Sequence, residues 1–146
     1  DLTVHELRRA FMQLSQGRSN AGLVTTLVSF GYKHGITLEA DLLFDVRFLP
    51  NPHFETKLRR LTGRDRPVQR YLDKLEQTKT FLTKATEFLA FLIPQYALEG
   101  KKYLTIGIGC TGGQHRSVFV AERLRRHISD FDGVRLRIKH RDVVKP

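Results

Sequence analysis

The stretch YLTIGIGCTGGQHRSVFVAERL, residues 103–124, passes from an almost wholly apolar run through a glycine-rich turn into a helix-period pattern. The apolar run 103–109 has the composition of a central strand covered on both faces. Beyond the turn, Val118, Ala121, Leu124 and Ile128 recur at three and four residues, which predicts a helix with those side chains inward. A strand, a glycine-rich turn and a helix N-terminus in this order make an anion trap, because unpaired backbone N–H groups and the positive helix end both point at the turn. Gly109, Gly112 and Gly113 let the main chain come close to a ligand, and Thr111, Gln114, His115 and Arg116 add donors, Arg116 as a two-pronged fork for phosphate.

Working outward, GLVTTLVSF at 22–30 is a β-branched apolar run that ends at Gly31 and predicts a buried strand. DLLFDVRFLPNPH at 41–53 predicts a second strand broken at Pro50 and Pro52, which leaves Arg47, Asn51 and His53 at the strand end and in the turn after it. Residues 55–70 are polar and basic and suit an exposed loop that opens into a helix at Pro67. The apolar stripe from Phe81 to Tyr96 predicts a helix kinked in its last turns at Pro94 and stopped by Gly100. GVRLRIKH at 133–140 alternates apolar residues with Arg135, Arg137 and Lys139, the pattern of a half-exposed strand carrying a basic row. Near the start, Thr3 and Glu6 have capping-box spacing ahead of a short helix that ends near Gly17. Strands separated by helices predict one α/β domain over residues 1–146, its largely parallel sheet flanked by helices.

The 146 residues carry a formal net charge of +10. A field of that size attracts polyanions and nominates RNA or DNA first among partners. No apolar run reaches the roughly 18–20 residues needed to span a bilayer, and the first residues lack the apolar core of a signal peptide, so the expected location is the cytoplasm. Cys110 is the only cysteine, which excludes an intramolecular disulfide and a cysteine-based metal cage. Neither a metal nor a cofactor is expected.

The turn admits three chemistries. A nucleotide P-loop needs Gly-x4-Gly-Lys-[Ser/Thr], and Gln114 stands where the second glycine belongs. A cysteine phosphatase is matched by Cys110-x5-Arg116-Ser117, in which a thiolate attacks phosphorus while backbone amides and the arginine hold the oxygens, although no residue is marked as the acid for the leaving group. A non-catalytic loop that holds a sugar phosphate or an RNA phosphate uses the same donors without the thiol. Arg47, Asn51 and His53 lie at the carboxyl end of a predicted strand, where open α/β sheets place their ligands.

The segments SFGYKHG, FDVRFLPNPH and LTIGIGCTGGQHRSVFVAERL closely resemble the C-terminal domain of the RapZ family of RNase adapter proteins, from about Leu23 to the end. The resemblance does not extend to that family's N-terminal Walker-type domain, so nucleotide hydrolysis is not carried over. It implies a non-enzymatic domain that binds glucosamine 6-phosphate, binds a small regulatory RNA, and presents that RNA to an endoribonuclease such as RNase E within a homo-oligomer, a tetramer in the full-length family. By the same resemblance the sugar-phosphate pocket maps onto His53, Thr111, Gly112, His115 and Arg116, with Cys110, Gly113 and Gln114 in the same loop and Arg47 and Asn51 nearby. RNA contacts map onto Lys33 and onto Lys139, His140, Arg141 and Lys145, in a tail that Asp142, Val143 and Val144 make less basic than in well-known members.

Overall fold

The structure is a computed structural model, and it describes residues 22–131 and 133–143. Four strands, β1 (Leu23–Gly31), β2 (Leu42–Asp45), β3 (Tyr103–Cys110) and β4 (Val134–His140), form one sheet in the order β2-β3-β1-β4. All three pairings are parallel, with Gly31 opposite Cys110, Ser29 opposite His140 and Asp45 opposite Gly109. Three helices complete the domain: α1 (Arg66–Asp73), α2 (Glu76–Glu99) and α3 (Arg116–Ile128). The parallel α/β architecture read from the sequence is the one found. The proposed helix before Gly17 lies outside the described residues. Among the described residues no helix is long and apolar enough to cross a membrane.

Alternation along the strands assigns the two faces. Leu23, Leu27, Leu104, Ile106 and Ile108 join Val68, Leu72, Leu89, Ile93, Leu124 and Ile128 in a single buried core, so the helices cover one face of the sheet. At about 25 cal/mol per Å² of apolar surface, this shared core is the main stabilising term. On α2 the buried set Leu82, Ala85, Leu89 and Ile93 keeps helical spacing, Pro94 lies inside the helix, and Gly100 caps it in the left-handed conformation at φ 99°.

The opposite face is organised differently from the sequence expectation. The apolar run of β3 is indeed central, yet no helix lies over its second face among the described residues. Gly107 and Gly109 stand there, and a Cβ on Gly109 would come within 2.6 Å of the Phe30 and Tyr32 rings. Side chains from β1 and from the β1–β2 connection fill the space that a helix would otherwise cover. Phe30 and Tyr32 meet edge to face at 5.0 Å between centroids. Farther along this face Tyr103, Arg135, Arg137 and Lys139 are exposed.

The second strand is also shorter than expected, four residues in place of a run to Pro50. Asp45 ends it, because its Oδ1 accepts from the backbone N–H of Arg47 at 3.0 Å and turns the chain out of the ladder before either proline is reached. The main chain then folds back, with Val46 N–H bonded to the Gly109 carbonyl and Leu49 N–H to the Val46 carbonyl.

Candidate functional site

Because every strand runs the same way, all four carboxyl ends meet at one edge of the sheet, and a cleft of about 710 Å³ opens there. Its floor is the turn between β3 and α3, contributing Cys110, Thr111, Gly112, Gln114, His115 and Arg116. One wall follows β1 and β4, with Lys33, His34 and Asp142; the other follows β2, with Asn51, His53, Arg59, Arg60 and Leu61.

The floor is fixed from three sides. A Cβ on Gly31 would sit 2.3 Å from the Gly112 carbonyl carbon, and one on Gly63 would sit 2.3 Å from the His115 carbonyl oxygen, so each neighbouring segment touches the turn through a glycine. The Lys33 and Gly63 N–H groups donate to the Thr111 and Gln114 carbonyls at 3.2 and 2.9 Å. Gln114 Nε2 donates to the Asp142 carbonyl at 2.6 Å. Gly113 takes φ 81°, and a Cβ there would lie 2.7 Å from Gly31 N. Gly112 differs from these glycines, since a Cβ there would meet nothing within 4 Å. Its main chain borders open cleft.

Arg116 does not extend freely into the cleft. Only 4% of the residue is exposed, and Nη1 donates to the carbonyls of Arg47 and Leu49 at 2.7 and 2.9 Å. Nη2 donates to Thr111 Oγ1 at 3.3 Å, while the buried Nε has no hydrogen-bond partner among the described residues. Arg116 thus ties the β2 exit to the floor and orients the Thr111 hydroxyl.

His115 is buried, and Nε2 donates to the Leu58 carbonyl at 3.1 Å, which leaves Nδ1 as the acceptor of a neutral ring. Burial pushes its pKa below the usual histidine value, against the opposing pull of carbonyls at Arg59, Leu58 and Leu61. Cys110 is also buried. Its thiol donates to Ser117 Oγ at 3.2 Å, and Sγ accepts from Ser117 N–H at 3.4 Å.

Eight of the ten residues expected to bind ligand therefore converge: Asn51, His53, Cys110, Thr111, Gly112, Gln114, His115 and Arg116. Gly113 shapes the turn from beneath. Arg47 lies off the cleft wall, with its guanidinium paired to Asp45 at 2.6 Å and lying 4.0 Å over the Tyr32 ring. Asn51 positions His53 by accepting the His53 N–H at 3.0 Å.

The residues expected at RNA divide. Lys33 lines the cleft itself, and Lys139 is exposed on β4. The His140 side chain points inward and is only 6% exposed, its Nδ1 2.7 Å from Ser29 Oγ and its Nε2 2.7 Å from Glu122 Oε2. Arg141 pairs with Asp142 at 2.8 Å and donates to the Gly35 carbonyl at 2.6 Å. Lys145 lies outside the described residues.

Arg59 and Arg60 were not singled out from the sequence, where 55–70 reads as a generic basic loop. Leu58 supplies the missing signal: it is buried and anchors the arginines that follow it at the cleft rim. Arg59 Nε donates to the His53 carbonyl at 2.8 Å. Among the described residues no carboxylate forms an ion pair with Lys33, Arg59 or Arg60.

The family model of the RapZ C-terminal domain matches residues 23–144. The chain belongs to that family. It is 52% identical over 141 residues to a nucleotide-binding protein of Acidobacterium capsulatum, covering 96% of this chain and 46% of the relative. It is 48% identical over 146 residues to a nucleotide-binding protein of Heliobacterium modesticaldum, covering 99% and 48%. A nucleotide-binding protein of Clostridium acetobutylicum is 44% identical over 144 residues, with coverage of 97% and 49%. The chain spans about half the length of these curated relatives.

Proposed function

We propose that this RapZ-type chain is a non-catalytic sensor and adapter domain of the cytoplasm, with residues 1–146 forming the unit. Family membership supports a regulatory or adapter role in general. In the finer reading, the cleft binds glucosamine 6-phosphate or a related phosphorylated amino sugar. A basic surface that includes Lys33, Lys139 and Arg141 binds small regulatory RNA and guides its processing by an endoribonuclease such as RNase E, within a homo-oligomer. The observation that carries the pocket is the conjunction of Lys33, Arg59 and Arg60, which form no ion pair among the described residues, with the open main chain at Gly112. Cations with donors to spare, beside a backbone that a phosphate can approach, are what phosphate recognition requires.

The competing thiol phosphatase has one geometric point in its favour, since Ser117 contacts the Cys110 sulfur through both its hydroxyl and its N–H. Against it, Arg116 Nη1 is engaged by two main-chain carbonyls, so the arginine that should hold the transferred phosphoryl group is already occupied. That commitment favours binding without transfer.

Calorimetric titration with glucosamine 6-phosphate, with glucosamine and inorganic phosphate as controls and phosphate release assayed in the same samples, tests the reading. Saturable binding without release is expected. Gly112→Ala should leave the melting temperature unchanged and weaken that binding, because the added methyl meets no protein atom and lies at the cleft. Release abolished by Cys110→Ser would transfer the assignment to the phosphatase. RNA affinity should fall steeply with salt, and salt-independent binding would refute the basic surface.

A further inference from the structure

Among the described residues that line the cleft there is a single carboxylate, Asp142, facing an otherwise basic set of Lys33, Arg59, Arg60 and Arg116. Asp142 enters the cleft just beyond β4 and is held in place there. Its Oδ2 accepts from Gly31 N–H at 2.7 Å and from Arg141 Nη2 at 2.8 Å, and Oδ1 accepts from Arg141 Nε at 3.0 Å. A carboxylate offers about four lone-pair directions, two on each oxygen. Oδ2 is therefore filled, and Oδ1 has one direction left. The side chain is 12% exposed, and Asp142 is one of the residues lining the cleft.

Arg141 offsets the charge of this carboxylate, but a carboxylate oxygen accepts hydrogen bonds and donates none, so it gives a phosphate oxygen nothing to bind. The carboxylate is useful if the ligand also carries a cation. We propose that Asp142 is the specificity-determining residue of the cleft, accepting a hydrogen bond from a ligand ammonium group and so selecting phosphomonoesters that also bear an amine. The assignment rests on the sugar-phosphate reading above and extends it. Phosphate recognition belongs to the cations and the Gly112 main chain, whereas amine recognition belongs to the β4 exit. Arg141 is then a positioning residue. Its other contacts, to the Gly35 and Ile36 carbonyls and over the Phe30 ring at 5.4 Å, hold the pair against the β1–β2 connection.

The test compares glucosamine 6-phosphate with glucose 6-phosphate, and inorganic phosphate with both, by calorimetry on the unmodified chain, on Asp142→Asn and on Arg141→Gln. The unmodified chain should prefer the amino sugar by about tenfold, the scale of one charge-assisted hydrogen bond. Asp142→Asn keeps an oxygen for the Gly31 N–H, so it should melt near the parent temperature; its preference should fall to about twofold or less while glucose 6-phosphate binds as well as before or better. Arg141→Gln removes the guanidinium that positions Asp142 and should lower the preference for the amino sugar without lowering affinity for glucose 6-phosphate. A purely structural role predicts instead that both variants lose affinity for all three anions in parallel, and that result would overturn the proposal. Equal affinity of the unmodified chain for the two sugar phosphates overturns the Asp142 assignment alone. Failure of both to bind removes the sugar-phosphate reading and this one with it.

Discussion

The floor of the cleft and the wall that follows β2 hold similar side chains in opposite states. On the floor, Arg116 and His115 are buried, and Arg116 Nη1 and His115 Nε2 donate to main-chain carbonyls while Arg116 Nη2 donates to Thr111 Oγ1. On the wall, Arg59 and Arg60 are exposed at the rim and form no ion pair among the described residues. A buried cation must be satisfied internally or it destabilises the fold, while an exposed one keeps its donors for an arriving anion. The residues that look most like ligand contacts in the sequence are therefore largely those that build the site, and the generic basic loop contributes the cations that remain available.

The strongest way to break this contrast is to disturb the floor without touching a charge. Gly31→Ala would place a methyl 2.3 Å from the Gly112 carbonyl carbon and 2.7 Å from Gly113 N, against backbone that cannot rotate away. A stability loss of about 3 kcal/mol is expected in denaturant titration, the upper part of the range for overpacking. A loss below about 0.5 kcal/mol would mean that the floor yields easily and is not the rigid element described.

Arg60→Ala sharpens the same contrast from the wall. Stability should stay within about 0.5 kcal/mol, as for other exposed substitutions, while affinity for glucosamine 6-phosphate drops about tenfold. Unchanged affinity would return phosphate recognition to the floor.

The smallest effect is a pH dependence. Burial lowers the pKa of both His115 and His140 below the ordinary value of 6.5, with Glu122 opposing the shift at His140. The unfolded chain therefore takes up protons at a higher pH than the folded one. Stability from these neutral rings is complete above about 6.5 and is lost as pH falls from there toward their folded pKa values. His115→Gln should reduce the slope of stability against pH in that window, as read by urea midpoints, and an unchanged slope would show that His115 contributes nothing to it.

Much of this molecule is legible in its sequence because local pattern and tertiary demand agree. The runs at 22–30 and 103–109, the three- and four-residue stripe on α2, Gly100 at its end and the glycine turn before α3 each follow from periodicity and backbone chemistry. So does the clustering of Asn51, His53 and residues 110–116, since parallel strands bring all their carboxyl ends to one edge. Side-chain direction was not legible to the same degree. His140 sits in a basic tail pattern, yet strand alternation turns it toward Ser29 and Glu122. Arg59 and Arg60 resemble any surface pair until buried Leu58 fixes the segment that carries them.

The sequence by itself determined the parallel α/β domain, the anion-trap turn and the positive field, because each depends on short-range spacing or on composition summed over the chain. Tertiary structure alone decided which cations remain free and which are consumed. That choice depends on partners distant in sequence, such as the Arg47 and Leu49 carbonyls for Arg116. Whether a charge is available to a ligand is settled by what it meets across the fold, and spacing along the chain does not encode that meeting.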